Sequence, residues 1–117
     1  MDATSFEINV TVAADGRFVA ALRDLATHAA RYAGCRGADA DIYGGVVEAF
    51  VRACVGRAPG GEMPVIIRRS NGPIEFLIAS DPGVARTWTT DPHITVSAVQ
   101  VSGRRMYCVA RRMPLET

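Results

Sequence analysis

Two dipeptides, Asn71-Gly72 and Ser102-Gly103, constrain this chain more than any other feature of its sequence. Each lies between two β-prone runs: Pro64–Arg69 and Ile74–Ala79 around the first, His93–Val101 and Met106–Arg111 around the second. So short a link allows only antiparallel neighbours, because a parallel pair needs a crossover of a dozen or more residues. The C-terminal half therefore reads as four strands in two hairpins, with a loop over residues 80–92 between them.

The N-terminal half has other periods. Phe6-Glu7-Ile8-Asn9-Val10-Thr11-Val12 alternates apolar and polar residues, as a half-buried strand does. After Asp15, a candidate N-cap, the residues Phe18, Leu22, Leu25, Ala26, Ala29, Tyr32 and Ala33 recur at three and four, which is one stripe of an amphipathic helix. Gly34 is placed to stop it. A second helix is expected from Asp39 or Asp41, whose carboxylates suit a helix N-terminus, to about Arg57. Its apolar stripe reads as Ile42, Val46, Ala49, Phe50 and Ala53. Gly44 and Gly45 within it imply either the close approach of another backbone or a later helix start. Ala58-Pro59-Gly60-Gly61 ends the segment. Strand, helix, helix and four strands predict one α+β domain over residues 1–117. It is a two-layer sandwich of a mixed or antiparallel sheet, about five strands, with both helices on one face.

Composition narrows the chemistry. With 117 residues, 49% of them hydrophobic and 21% charged, the chain can bury a core without a metal or disulfide staple. A formal charge of +1 argues against binding driven by the charge of a nucleic acid or a membrane surface. All 13 basic residues are arginine, so Schiff-base and phosphate-loop lysine chemistry is excluded. Cys35, Cys54 and Cys108 are odd in number, and no two form a CxxC pair, which fits thiols in a reducing compartment. There is neither a signal-peptide pattern nor a run of 18 apolar residues, so a cytoplasmic location is expected.

The second helix carries Val46-Val47-Glu48-Ala49-Phe50-Val51-Arg52-Ala53, and Asp81-Pro82-Gly83-Val84-Ala85 follows the first hairpin. In this order the chain resembles the anti-sigma-factor serine kinases, small bacterial members of the Bergerat-fold (GHKL) ATPase superfamily. The family helix reads Glu-Ala-x-x-Asn-Ala, which Glu48, Ala49 and Ala53 match while Arg52 replaces the asparagine. The family's Asp-x-Gly-x-Gly is matched at Asp81 and Gly83 and lost at Ala85. Phe6 to Gly34 looks like the family's opening strand and helix, and the likeness runs over roughly residues 5–83. The alanine-rich, lysine-free composition fits a GC-rich bacterial source.

By this resemblance Glu48 would be the catalytic base, Arg52 would occupy the metal-ligand position, and Asp81 with Gly83 would meet an adenine. An arginine cannot ligate a cation, since its guanidinium only donates. Glu48 and Arg52, at i and i+4, are also expected to pair, which makes the glutamate a poor base. Only about ten residues separate Gly83 from the strand at Ile94, so the family's nucleotide lid and second Gly-rich box are missing. The resemblance thus implies a degenerate member without kinase activity, which binds a sigma factor or a STAS-type anti-anti-sigma protein and forms a homodimer or heterodimer. No resident metal or cofactor is expected. ATP or ADP is the ligand a surviving pocket would take, with Arg52 on phosphate, and that gives the alternative of a kinase with a rearranged pocket.

The same residues also have plainer readings. Glu48 with Arg52 is a solvated helix pair worth about 0.3–0.5 kcal/mol, and Asp81-Pro82-Gly83 is a turn after a strand. On these readings the chain is an unrelated α+β ligand-binding domain. His28 reads as structural, His93 has no metal-ligand spacing around it, and Cys35 beside Arg36 reads as structural or incidental. The pairs Arg68-Arg69, Arg104-Arg105 and Arg111-Arg112 put one arginine on each face of a strand, where ion pairs are expected rather than RNA.

Overall fold

The structure, a computed structural model, describes residues 5–57, 61–69, 72–79 and 91–112. In chain order they form β1 (Phe6–Ala13), α1 (Arg17–Tyr32), α2 (Ala38–Arg57), β2 (Glu62–Arg69), β3 (Ile74–Ile78), β4 (Ile94–Val101) and β5 (Arg104–Arg111). The strands make one five-stranded sheet in the order β1-β2-β3-β5-β4, with every neighbouring pair antiparallel. Both helices pack on one face, giving the two-layer α+β fold that the pattern predicts. The second hairpin docks through β5 rather than β4, and side-chain chemistry explains the choice. β5 is apolar on both faces at Met106 to Val109, whereas β4 exposes Thr95, Ser97 and Gln100, as an edge strand does. Its turn has positive φ at both Ser102 (52°) and Gly103 (80°), the geometry that suits the twist of a two-residue hairpin. Asn71 of the other turn lies outside the described residues.

Helix ends follow their local chemistry. Gly16 is the N-cap of α1 and gives no side-chain bond. Asp15, the residue expected there, caps from one position earlier: its Oδ1 accepts the Arg17 N–H at 2.9 Å, and its Oδ2 holds the Arg17 guanidinium at the same distance. These bonds lower the Asp15 pKa. At the other end Gly34 takes φ 115°, its N–H reaches the Arg31 carbonyl, and the Cys35 N–H reaches the Ala30 carbonyl. That is a Schellman closure, which needs a residue free of the Cβ penalty at Gly34.

The helix-side core is built from Val19, Leu22 and Ala26 of α1 and from Tyr43, Val47, Phe50, Val51 and Cys54 of α2, set against Val65, Ile67, Phe76 and Val109. This differs from the expected stripe of α2. Ile42 is 44% exposed and Ala49 and Ala53 are only half-buried, so the helix is rotated to bury Tyr43, Val47 and Cys54. Val46 and Phe50 of the expected stripe are buried all the same. The cause is bulk: α2 carries apolar residues on two overlapping flanks that share Phe50, and the one that adds the Tyr43 ring buries more area. The Tyr43 hydroxyl donates to the Val109 carbonyl at 2.7 Å, which ties α2 to β5. Gly44 marks the expected close approach. A Cβ there would collide with the Thr27 hydroxyl and stand 3.2 Å from the Arg23 carbonyl, whereas one at Gly45 would meet nothing within 4 Å. Tyr32, predicted in the α1 stripe, is 62% exposed and lies edge-on to Phe6.

The opposite face of the sheet has a smaller apolar cluster. Leu77, Met106 and Cys108 are buried there, flanked by Ile66, Val99 and Val101.

Candidate functional site

With Tyr43, Val47 and Phe50 turned to the core, Glu48 is left on the flank of α2 that faces α1, and Arg52 stands one turn further out. The pairing expected from i,i+4 spacing is present: Arg52 donates to Glu48 Oε2 at 3.1 Å. A second guanidinium, that of Arg23 on α1, lies 3.7 Å from Glu48 Oε1. Arg23 also bonds Asp24. The glutamate is therefore held between two cations, its side chain 27% exposed. One oxygen accepts a hydrogen bond and the other stands at ion-pair distance, so a hydroxyl approaching this carboxylate would have to compete with two guanidinium groups.

Glu48 borders two shallow surface grooves. One runs between α1 and α2 past Arg23, Thr27, His28 and Asp41, and the other follows Gly45, Ala49, Arg52 and Ala53 along the outer side of α2. Neither lies between α2 and the sheet, where Tyr43, Val47 and Phe50 are fully buried. Asp81 and Gly83, the other two predicted site residues, fall outside the described residues. A third concavity on the helix-free face passes Thr11, Pro64, Ile66, Val101 and Met106, and Arg104 is its sole charged lining residue among those described.

The histidines stand apart. His28 is exposed on α1 rather than part of the core, and His93 lies in the turn just before β4 with its N–H on Asp91 Oδ1 at 2.8 Å. Among the described residues no group of three or more His, Cys, Asp or Glu side chains is placed to hold a metal ion. No helix among them is long and apolar enough to cross a membrane.

The arginine pairs do not form a continuous basic stripe. Arg68 bonds Glu75 at 2.8 Å on the open face, and Arg105 lies over the Tyr107 ring. Arg69 and Arg111 turn to the helix side and clamp the α1–α2 connection. Arg69 donates to the Ala33 carbonyl at 3.3 Å, and Arg111, 4% exposed, reaches Asp39 at 3.3 Å and the Arg112 carbonyl at 2.8 Å. The parity of β2 and β5 holds the signal for this clamp: Val65, Ile67 and Arg69 share a face, as do Tyr107, Val109 and Arg111. The Arg111 Nε has no hydrogen-bond partner among the described residues.

None of the three cysteines is in a disulfide, and all are buried. Burial raises the Cys35 thiol, and the Arg111 and Arg69 charges offset this only in part. The Cys108 thiol donates to Glu75 Oε2 at 3.7 Å. Burial first, then that carboxylate, push its pKa from 9.0 to about 12. An unfolded thiol loses its proton near 8.5, so above that pH the unfolded chain binds fewer protons than the folded one and stability falls as pH rises. The contribution is whole below about pH 8 and is lost progressively toward 12. Urea midpoints measured from pH 7 to 11 are expected to fall above about pH 9, and Cys108→Ala to flatten part of that fall. A midpoint independent of pH in this window would contradict the burial of this thiol.

No protein-family model matches the chain, and comparison with curated proteins gives no match.

Proposed function

We propose that this protein is a regulatory protein-binding module related to the anti-sigma-factor serine kinases that no longer transfers phosphate, and that it works in the bacterial cytoplasm by partner switching. Its partner on this reading is a sigma factor or a STAS-type anti-anti-sigma protein. The observation that carries the proposal is the occupied glutamate. Arg52 holds the Glu48 carboxylate at 3.1 Å and Arg23 stands 3.7 Å away, so the residue that would activate a serine hydroxyl is paired with two arginines instead of facing an open site. A guanidinium at the metal-ligand position also repels the Mg²⁺ that phosphoryl transfer needs. The order of strand, helix, helix and two hairpins agrees with the resemblance.

The test is a thermal-shift titration with ATP, ADP and GTP, with and without Mg²⁺, on the wild type, Asp81→Asn and Arg52→Asn. A ligand at 100 times its Kd adds about 2.7 kcal/mol, a shift of several degrees for a domain of this size. The wild type is expected to show no shift, and labelled ATP is expected to leave no phosphate on a STAS partner. A shift of several degrees that Asp81→Asn abolishes would overturn the loss of the nucleotide pocket and favour the kinase with a rearranged site.

A further inference from the structure

The free edge of β4 carries an inference independent of the nucleotide question. In the sheet order β4 is terminal, with only β5 beside it among the described residues. The direction of its backbone groups follows from the register. The Arg112 N–H bonds the His93 carbonyl at 2.7 Å, and the partners run in step from Ile94↔Arg111 to Val101↔Arg104. The odd-numbered residues of β4 therefore exchange hydrogen bonds with β5. In an antiparallel ladder the alternate residues face the other way, so Ile94, Val96, Ala98 and Gln100 point their N–H and C=O groups out of the sheet.

Natural edge strands are guarded by charge, proline, a bulge or a covering element. Ile94–Val101 has no charged residue, no proline and no glycine, and its pairing with β5 is unbroken by a bulge. Thr95, Ser97, Ala98 and Gln100 are all exposed, so no described residue covers either face of the strand at these positions. The other edge, β1, is guarded by the Glu7 carboxylate, which is steadied by Asn9 at 3.0 Å.

We propose that β4 pairs with β4 of a second copy of the chain, antiparallel about a two-fold axis at Ser97, so that two sheets join into one. A two-fold axis perpendicular to the sheet keeps each face continuous and sets residues of like parity opposite one another. Centred at Ser97, it places Val96 opposite Ala98 and Ile94 opposite Gln100 of the second copy. All four outward-facing residues of each strand then find partners, whereas a centre at Ala98 leaves Ile94 opposite the turn residue Ser102. Thr95 meets Val99 on the open face, and no charge faces a like charge anywhere along the seam. A strand whose outward groups satisfy one another in this way requires no partner of different sequence.

Ser97 and its symmetry mate form a non-hydrogen-bonded pair, whose Cα atoms lie about 4.5 Å apart and within reach of a disulfide. Sedimentation of the wild type is expected to show a concentration-dependent dimer. Ser97→Cys is expected to give a disulfide-linked dimer under mild oxidation, with little background from the buried native cysteines. Ser97→Asp sets two carboxylates face to face and is expected to weaken the dimer at least tenfold. Ala98→Pro removes an outward N–H and no bond to β5, so it too is expected to be monomeric with an unchanged circular dichroism spectrum. A wild type that stays monomeric at every concentration overturns the proposal. So does a dimer that survives Ser97→Asp and forms no disulfide link in the Ser97→Cys variant.

Discussion

Truncating Phe50 to alanine is expected to cost about 3–5 kcal/mol of stability, while the same truncation at Ile42 is expected to cost less than about 0.5 kcal/mol. Phe50 is 0% exposed, lies under α2 among Ile67, Phe76 and Val109, and tilts against the Tyr107 ring at 6.1 Å. Removing it takes away transfer free energy and leaves a cavity that the rigid sheet beneath cannot close. Ile42 is 44% exposed, and alanine there even improves helix propensity slightly. The loss at Phe50 is a large share of the roughly 5–15 kcal/mol that holds such a domain together. Urea denaturation decides the matter. The Phe50→Ala midpoint should fall steeply at an unchanged slope, and the Ile42→Ala midpoint should hold. Equal losses at the two positions would mean that α2 packs in the phase of the Ile42 stripe.

That pair of positions also marks how far the sequence is legible. Hairpins announce themselves through turn chemistry, which is local, so Ser102-Gly103 could be placed without knowing what surrounds it. The phase of α2 is not local. Ile42, Val46, Ala49, Phe50 and Ala53 make one apolar stripe and Tyr43, Val47, Phe50 and Cys54 make another that shares Phe50, and only the bulk that the sheet accepts decides between them. The site divides along the same line. Glu48 and Arg52 are one helical turn apart, so their pairing is written in the spacing. The approach of Arg23 depends on how α1 crosses α2, which no spacing within one helix records. Arg69 and Arg111 were legible as strand residues, but their grip on the α1–α2 connection follows from the strand order.

The crossing that brings Arg23 to Glu48 has its own test at Gly44. Valine there is expected to cost about 2–3 kcal/mol, because overpacking a closed contact costs about 1–3 kcal/mol and a β-branched residue has few rotamers with which to escape. Two neighbours stand in the way. The Thr27 hydroxyl is held by its bond to the Arg23 carbonyl at 2.9 Å, and that carbonyl is itself 3.2 Å from where the Cβ would sit. The hydroxyl can be removed, but the carbonyl belongs to the backbone of α1. Thr27→Ala is therefore expected to recover part of the loss in the double variant, while a remainder persists. Gly45→Ala, one residue on, is the control: its Cβ meets nothing within 4 Å, so it is expected to gain about 0.8–1 kcal/mol from helix propensity alone. Opposite signs at adjacent glycines, with partial rescue by Thr27→Ala, are the signature of two helices in backbone contact. A stabilising Gly44→Val would show instead that α1 and α2 stand apart, and Arg23 would then be too far from Glu48 to share in holding it.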